Sequence, residues 1–414
     1  MKSVFRRLAF PFLFASFLAV LNPLAWGQYT AANLVSNTSL YGPVKIDTNL
    51  INGWGLAALP SSPFWVGAQN TSTSPLYTAN GVVIPLLVEI PCVTNTATGA
   101  TSVPCPFPGE GLLFEPNNGD FNAFGPSGIV ANDFSRTGAF KIGTSNAPAL
   151  FIFSTLDGLI VGWSPVANQT QGVVVVNRFA AGAGYTGLAV AGPEENPHLY
   201  AANAVPGGEI DVFDKNFRLV NSFAGDSNVP SLFVPYGITA IGSKLYVTYF
   251  SLVESAGILD VCDLDDNDND PDDNATNPTC RRLFASIPSP SDTSAPILAS
   301  PWGIVRAPHN FGPLSGKLLV GNVDDGLIHA FEPESGSLIG TLNLADGKPF
   351  AVPGLWGLAF GKDSPANGPV NHLFFSAGPS PVNINDTVQQ YGAGLFGVIK
   401  PPSENDGAND SDDN

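Results

Sequence analysis

Six times along this chain a residue, then glycine, then leucine or isoleucine opens a short apolar run. The phrases are "NGWGLA" (52–57), "GPSGIV" (125–130), "GYTGLA" (184–189), "PYGITA" (235–240), "PWGIV" (301–305) and "LWGLAF" (355–360). The residues before the glycine are Trp54, Ser127, Thr186, Tyr236, Trp302 and Trp356, spaced by 73, 59, 50, 66 and 54. A glycine inside a strand weakens it unless another backbone comes close, so the recurrence needs a shared geometric cause. A second apolar run follows each phrase: "FWVGA", "LFIFS", "LYAAN", "LYVTY", "LLVGN" and "LFFSA". A third usually opens with glycine, as in "GLIVGW", "GEIDVF", "GILDVC", "GLIHAF" and "GLFGVI", with "PLYTAN" as the first repeat's version. A fourth follows in places, as in "VVIPLLVEI", "GVVVVNRF" and "SLIGTL". Four short strands repeated six times predict an all-β chain, a six-bladed β-propeller of four-stranded antiparallel blades. The repeated glycine then belongs to the crowded inner strand, and the following Leu or Ile packs between blades.

The sixth repeat stops after three strands. The β-like segment "YTAANLVS" (29–36) precedes the first repeat and is the natural fourth strand of the last blade, closing the ring and removing its open edges. The expected organisation is a signal peptide over 1–27, a propeller over 28–400 and an acidic disordered tail over 401–414. Lys2, Arg6 and Arg7 precede the apolar stretch Leu8 to Leu21, with Ala25 and Gly27 at a small-residue cleavage site. This predicts a secreted, periplasmic or extracellular protein with no membrane span after cleavage. Net charge is −18, with 35 acidic against 17 basic residues, which argues against nucleic acid and anionic membrane surfaces as partners. A monomer is expected.

Four cysteines allow three pairings. Local bridges, Cys92 with Cys105 and Cys262 with Cys280, are the simplest. The two longest repeats contain these brackets, so the irregular spacing reads as insertion.

The stretches "NLVSNTSLYG", "LINGWGLAALPSSPFWVGAQNTSTSPLY", "PWGIVRAPHNFGPLSGKLLVGNVDDGLIHAFEPESGSLIGTL" and "GLWGLAFG" resemble a family of exported bacterial proteins, some of which carry a PEP-CTERM sorting tail. The resemblance covers roughly residues 29–399. It implies a propeller in the style of NHL repeats and carries over no catalytic residue. The chain's end, "PPSENDGANDSDDN", has neither the apolar anchor nor the basic cluster of the tailed members.

Two places could hold a ligand. The segment "CDLDDNDNDPDDNATNPTC" (262–280) has seven Asp within 263–273. Asp263, Asp265, Asp266, Asn267, Asp268 and Asp270 alternate as oxygen donors that could wrap one calcium, although neither register has the EF-hand glycine or its final glutamate. The other place is one mouth of the ring, where first strands begin and second strands end. It gathers Asn52, Trp54, Tyr236, Trp302 and Trp356 with Asn70, Asp157, Asn203, Asn322 and Asp324, a mixture of rings, amides and carboxylates suited to a glycan, a peptide or a protein partner. Turn preference and packing between blades explain the same residues without a ligand. The reading is therefore a non-enzymatic binding or scaffold module. The alternative is a calcium-dependent lactonase-like hydrolase with Asp157, Asn203 and Asn322 as metal ligands, which rests on fold analogy alone. The histidines match no metal-site pattern: His198 and His372 stand at second-strand starts, His329 inside a third strand and His309 in a loop.

Overall fold

Each repeat becomes a blade. A computed structural model describes residues 27–95, 97–103, 105, 124–264, 275–287, 295–379 and 392–402. The first blade is Gly53–Ala57, Phe64–Ala68, Thr73–Tyr77 and Val83–Glu89; the second is Pro126–Ala131, Phe151–Thr155, Leu159–Trp163 and Val173–Asn177. The third runs Tyr185–Ala191, His198–Asn203, Ile210–Phe213 and Leu219–Phe223. The fourth runs Phe233–Ile241, Lys244–Ser251, Gly257–Asp263 and Thr279–Ser286. The fifth is Pro301–Arg306, Leu318–Asn322, Ile328–Phe331 and Leu338–Thr341. The sixth combines Leu355–Phe360, Leu373–Ala377 and Leu395–Lys400 with the amino-terminal strand Gly27–Ser36. The chain is a six-bladed β-propeller. Its closure is the one read from the sequence: Thr30 pairs with Lys400 and Ser36 with Leu395, antiparallel. Tyr29 anchors the closing strand, its buried hydroxyl donating to the Phe311 carbonyl at 2.6 Å and accepting from the Leu314 N–H at 3.1 Å.

Both faces of a blade are covered by neighbours, which is why the inner strands read as nearly continuous apolar runs rather than as alternations. In the third blade Leu199 and Ala201 join the cluster shared with the second blade, while Tyr200 and Ala202 join the one shared with the fourth. This is the two-residue period of a strand with no solvent side. Six apolar clusters fill the six blade interfaces. The residue after each repeated glycine belongs to one of them: Leu56, Ile129, Leu188, Ile238, Ile304 and Leu358.

The glycine itself has a more specific cause than a crowded channel. In every blade the ladder between first and second strands slips by one residue at the dipeptide ending in glycine, a β-bulge. The bulge presses the inner strand against the inner strand of the next blade. A Cβ on Gly187 would sit 2.9 Å from the Tyr236 carbonyl oxygen. One on Gly237 would sit 2.7 Å from the Trp302 carbonyl carbon, and one on Gly357 2.9 Å from the Trp54 carbonyl oxygen. The ring is thus seamed by backbone against backbone. In alternate blades a hydroxyl from the second strand fills the bulge: Ser154, Thr248 and Ser376 accept from the N–H of Gly128, Gly237 and Gly357 at 3.0, 2.9 and 3.0 Å.

Both cysteine pairs are bridged locally, Cys92 to Cys105 and Cys262 to Cys280. The first closes a hairpin (Cys92–Asn95 with Ala100–Ser102) and the second joins directly opposed residues of the fourth blade's two outer strands. Two such bridges suit an oxidising, extracellular compartment. Among the described residues no helix is long and apolar enough to cross a membrane. The expected signal segment up to residue 26, the acidic-loop residues 265–274 and the tail from 403 lie outside the described residues.

Candidate functional site: an aromatic hub on the ring axis

The bulge also aims the residue before each glycine at the axis. Four of these six residues are aromatic, and their rings meet there. Trp54 stacks on Trp356 with centroids 3.9 Å apart. Trp54 meets Tyr236 edge-on at 6.5 Å, although the two come from opposite blades, and meets Trp302 at 6.4 Å. Tyr236 also packs on Phe250 at 4.2 Å. Leu156, Ala204, Val234 and Val323 complete the cluster, with Leu252 at its edge. The rings expected to line a mouth pack on one another instead. Trp54, Tyr236 and Trp356 are buried and only Trp302 remains partly exposed.

Polar groups tie the hub to the blades. Trp302 Nε1 donates across the axis to the Thr186 carbonyl at 3.1 Å. Trp356 Nε1 donates to Asn52 Oδ1 at 2.9 Å, and Asn52 Nδ2 donates to Gln69 Oε1 at 2.9 Å. Asn52 holds a left-handed backbone, φ 49°, a conformation Asn tolerates better than most residues. Ser127 and Thr186, the two non-aromatic members of the repeated position, donate to the carbonyls of Tyr185 (2.6 Å) and Tyr236 (2.8 Å). Their place in the repeat was visible in the sequence, and it marks them as hub residues too. The Trp54 indole N–H finds no acceptor among the described residues.

The remaining candidates serve the loops around the hub. Asp157 is buried, and burial raises its carboxyl above the usual range against the pull of its hydrogen bonds. Its Oδ2 accepts from the Val93 N–H at 2.7 Å and its Oδ1 from the Thr155 hydroxyl. It therefore docks the disulfide-closed hairpin onto the second blade. Asn203 Oδ1 accepts from the Gly184 N–H at 3.0 Å. Asn322 Nδ2 donates to the Ile297 carbonyl at 2.9 Å and to Asp325 Oδ2 at 3.3 Å. Asp324, exposed, accepts the hydroxyls of Ser255 (2.6 Å) and Ser300 (2.9 Å). Asn70 follows the first blade's second strand at the same end, half-buried. Of the six residues expected to hold calcium, Asp263 ends a third strand 3.6 Å from Lys244 Nζ; Asp265, Asp266, Asn267, Asp268 and Asp270 lie outside the described residues. Among the described residues no three His, Cys, Asp or Glu gather into a metal-binding group. His329 is buried in its strand beside Thr341 Oγ1, 3.1 Å from Nδ1, and His198 opens its strand, also buried.

No family model matches the chain. It is similar to proteins of Acanthamoeba polyphaga mimivirus. Uncharacterized protein L690 is 27% identical over 363 residues, covering 83% of this chain and 80% of that protein. Uncharacterized protein R648 is 28% identical over 363 residues, covering 83% and 75%. Among solved structures, a glucose dehydrogenase matches 89% of this chain and 98% of its own at 12% identity, with a TM-score of 0.45. A streptogramin B lyase matches 91% and 99% at 11% identity and 0.41. Those likenesses are too distant to carry any residue's role across, and the relatives bring similarity of sequence without an assigned activity.

Proposed function

We propose that this protein is a secreted, non-enzymatic binding module that holds a glycan, peptide or protein partner at the hub end of the ring. The observation that carries this reading is the filled axis, where four aromatic rings leave one, Trp302, partly open to solvent. A ring in that setting offers an apolar face to a sugar or side chain, with Asp324 and other polar loop groups to orient it. The nearby carboxylates favour this reading over a hydrolase. Asp157 is spent on Val93 and Thr155, and Asp325 accepts from the Leu327 N–H at 3.0 Å and from Asn322. A channel-mouth hydrolase would need such a group free to hold a metal or move a proton. On a glycan and peptide array, the disulfide-intact protein should bind a discrete set of ligands, and Trp302→Ala should weaken that binding about tenfold or more, the usual loss for a central aromatic contact. Unchanged binding by the variant, at an unchanged melting temperature, would remove the hub as the site.

In the same reading, the acidic segment after the fourth blade's third strand binds calcium as a structural ion. EDTA should then lower the melting temperature, and Asp265→Ala combined with Asp268→Ala should abolish that sensitivity. Identical melts with and without chelator would dispose of the calcium.

A further inference from the structure

The opposite end of the ring carries a second and independent feature. Between the sixth and first blades lies a cavity of about 480 Å3, lined by Asn80, Asp363, Ser364, Pro369, His372 and Lys400 among others. His372 directly precedes the second strand of its blade, Lys400 ends the third, and Asn80 lies in the turn between the first blade's outer strands. All three positions face away from the hub. The cavity wall is held in place. Asn367, fully buried, donates from Nδ2 to the carbonyls of Leu59, Pro60 and Ser62 at 3.1, 3.1 and 3.0 Å, and its Oδ1 accepts from the Lys362 N–H at 2.9 Å. The Ala79 N–H donates to the Ala366 carbonyl at 2.9 Å from the other side. At the rim Asp363 holds a left-handed backbone, φ 56°, an uncommon state for a residue with a side chain and one that gathers at ligand sites. Its Oδ1 accepts from the Val370 N–H at 2.7 Å.

The charges are unusual for so acidic a chain. Lys400 makes no ion pair among the described residues. His372 stands close enough to feel it: burial first, and then the Lys400 charge, hold the imidazole below its usual value. Two nitrogen groups thus line one cavity, and neither is ion-paired among the described residues. A carboxylate remains across from them at Asp363, with amide and hydroxyl groups at Asn80 and Ser364. We propose that this cavity binds an acidic sugar unit. Its carboxylate would lie between Lys400 and His372, and its hydroxyls would reach Asp363, Asn80 and Ser364. The ring's C–H face would rest on Pro369. A dianion fits less well, because Asp363 opposes it.

Bound carboxylate favours the protonated imidazole, so affinity should rise as pH falls through the His372 pKa. Burial and the Lys400 charge oppose that protonation, and Asp363 is the carboxylate that also lines the cavity. The test follows the His372 Cε1–H resonance while the protein is titrated with galacturonate, with galactose and with inorganic phosphate. Galacturonate should shift the resonance saturably and raise the His372 pKa, and galactose should do neither. Lys400→Gln should weaken galacturonate about tenfold, as loss of a charged hydrogen-bond donor does, while Lys400→Arg retains binding. Absence of a saturable shift, or equal affinity in Lys400→Gln, overturns the site. Phosphate binding as tightly as galacturonate overturns the sugar.

Discussion

Replacing Gly237 with alanine should lower the stability of the ring by about 3 kcal/mol, the upper part of the overpacking range. The same change at Gly316 should cost about 1 kcal/mol. Gly316 has the less favourable backbone, φ 74°, but its Cβ would meet nothing within 4 Å. At Gly237 the new methyl lands on the Trp302 carbonyl, 2.7 Å from its carbon and closer to its oxygen. Neither partner can turn aside as a side chain would. The bulge that brings them together is pinned by the Thr248 hydroxyl, which accepts from the Gly237 N–H and donates back to its carbonyl. Relief requires the fourth and fifth blades to part, and that opens the apolar cluster between them. Urea denaturation of the two variants checks the order. Equal losses would mean that the seam is looser than its geometry states.

A chain lacking residues 27–36 should lose cooperative unfolding altogether. That strand supplies six paired positions to the last blade, and it buries Tyr29, Leu34 and Val35. At about 1.5–3 kcal/mol per large buried side chain, before counting the exposed ladder and the uncovered faces of Phe396 and Val398, the loss approaches the whole stability of an ordinary domain, about 5–15 kcal/mol. Calorimetry of the truncated chain should show no sharp transition, and a synthetic peptide of residues 27–36 should restore one. A truncated chain that melts like the parent would show that the five remaining blades and the stub close without it.

The ring was legible because its repeat is a backbone necessity. Only glycine fits a bulge pressed on a neighbouring carbonyl, so the chain must spell the motif six times whatever surrounds it. The closing strand was legible by subtraction, since one blade lacked a strand and one strand lacked a blade. The outer strands Leu219–Phe223 and Thr279–Ser286 were harder to see. Their faces are partly wet, and Asn221, Arg281 and Arg282 interrupt the apolar pattern. Of the site, topology gave the common end of Trp54, Tyr236, Trp302 and Trp356. That the rings touch depends on the bore of the ring, which strand patterns do not encode. The role that the structure shows for Asp157 is not legible in the sequence, because its partner, the Val93 N–H, lies 64 positions away in an insertion. His372 looked like a strand-end residue, and it is one. Lys400 and Asn80, the groups that share a cavity with it, lie 28 and 292 positions away, so the strand pattern does not bring them together.

The pairing of the ring's first and last strands also sets an order of events. Asn37 and Gly394, 357 residues apart, are joined at 3.0 Å. Within the ring, Gly27–Ser36 is synthesised before its partner Leu395–Lys400 and must wait, unpaired, until nearly every other blade strand has been made. Contacts of such long sequence separation form slowly, and a waiting strand edge invites the wrong partner. A circular permutant that starts after Ser36, with residues 27–36 moved behind Lys400, would make the same blade from consecutive segments and should reach the native state faster.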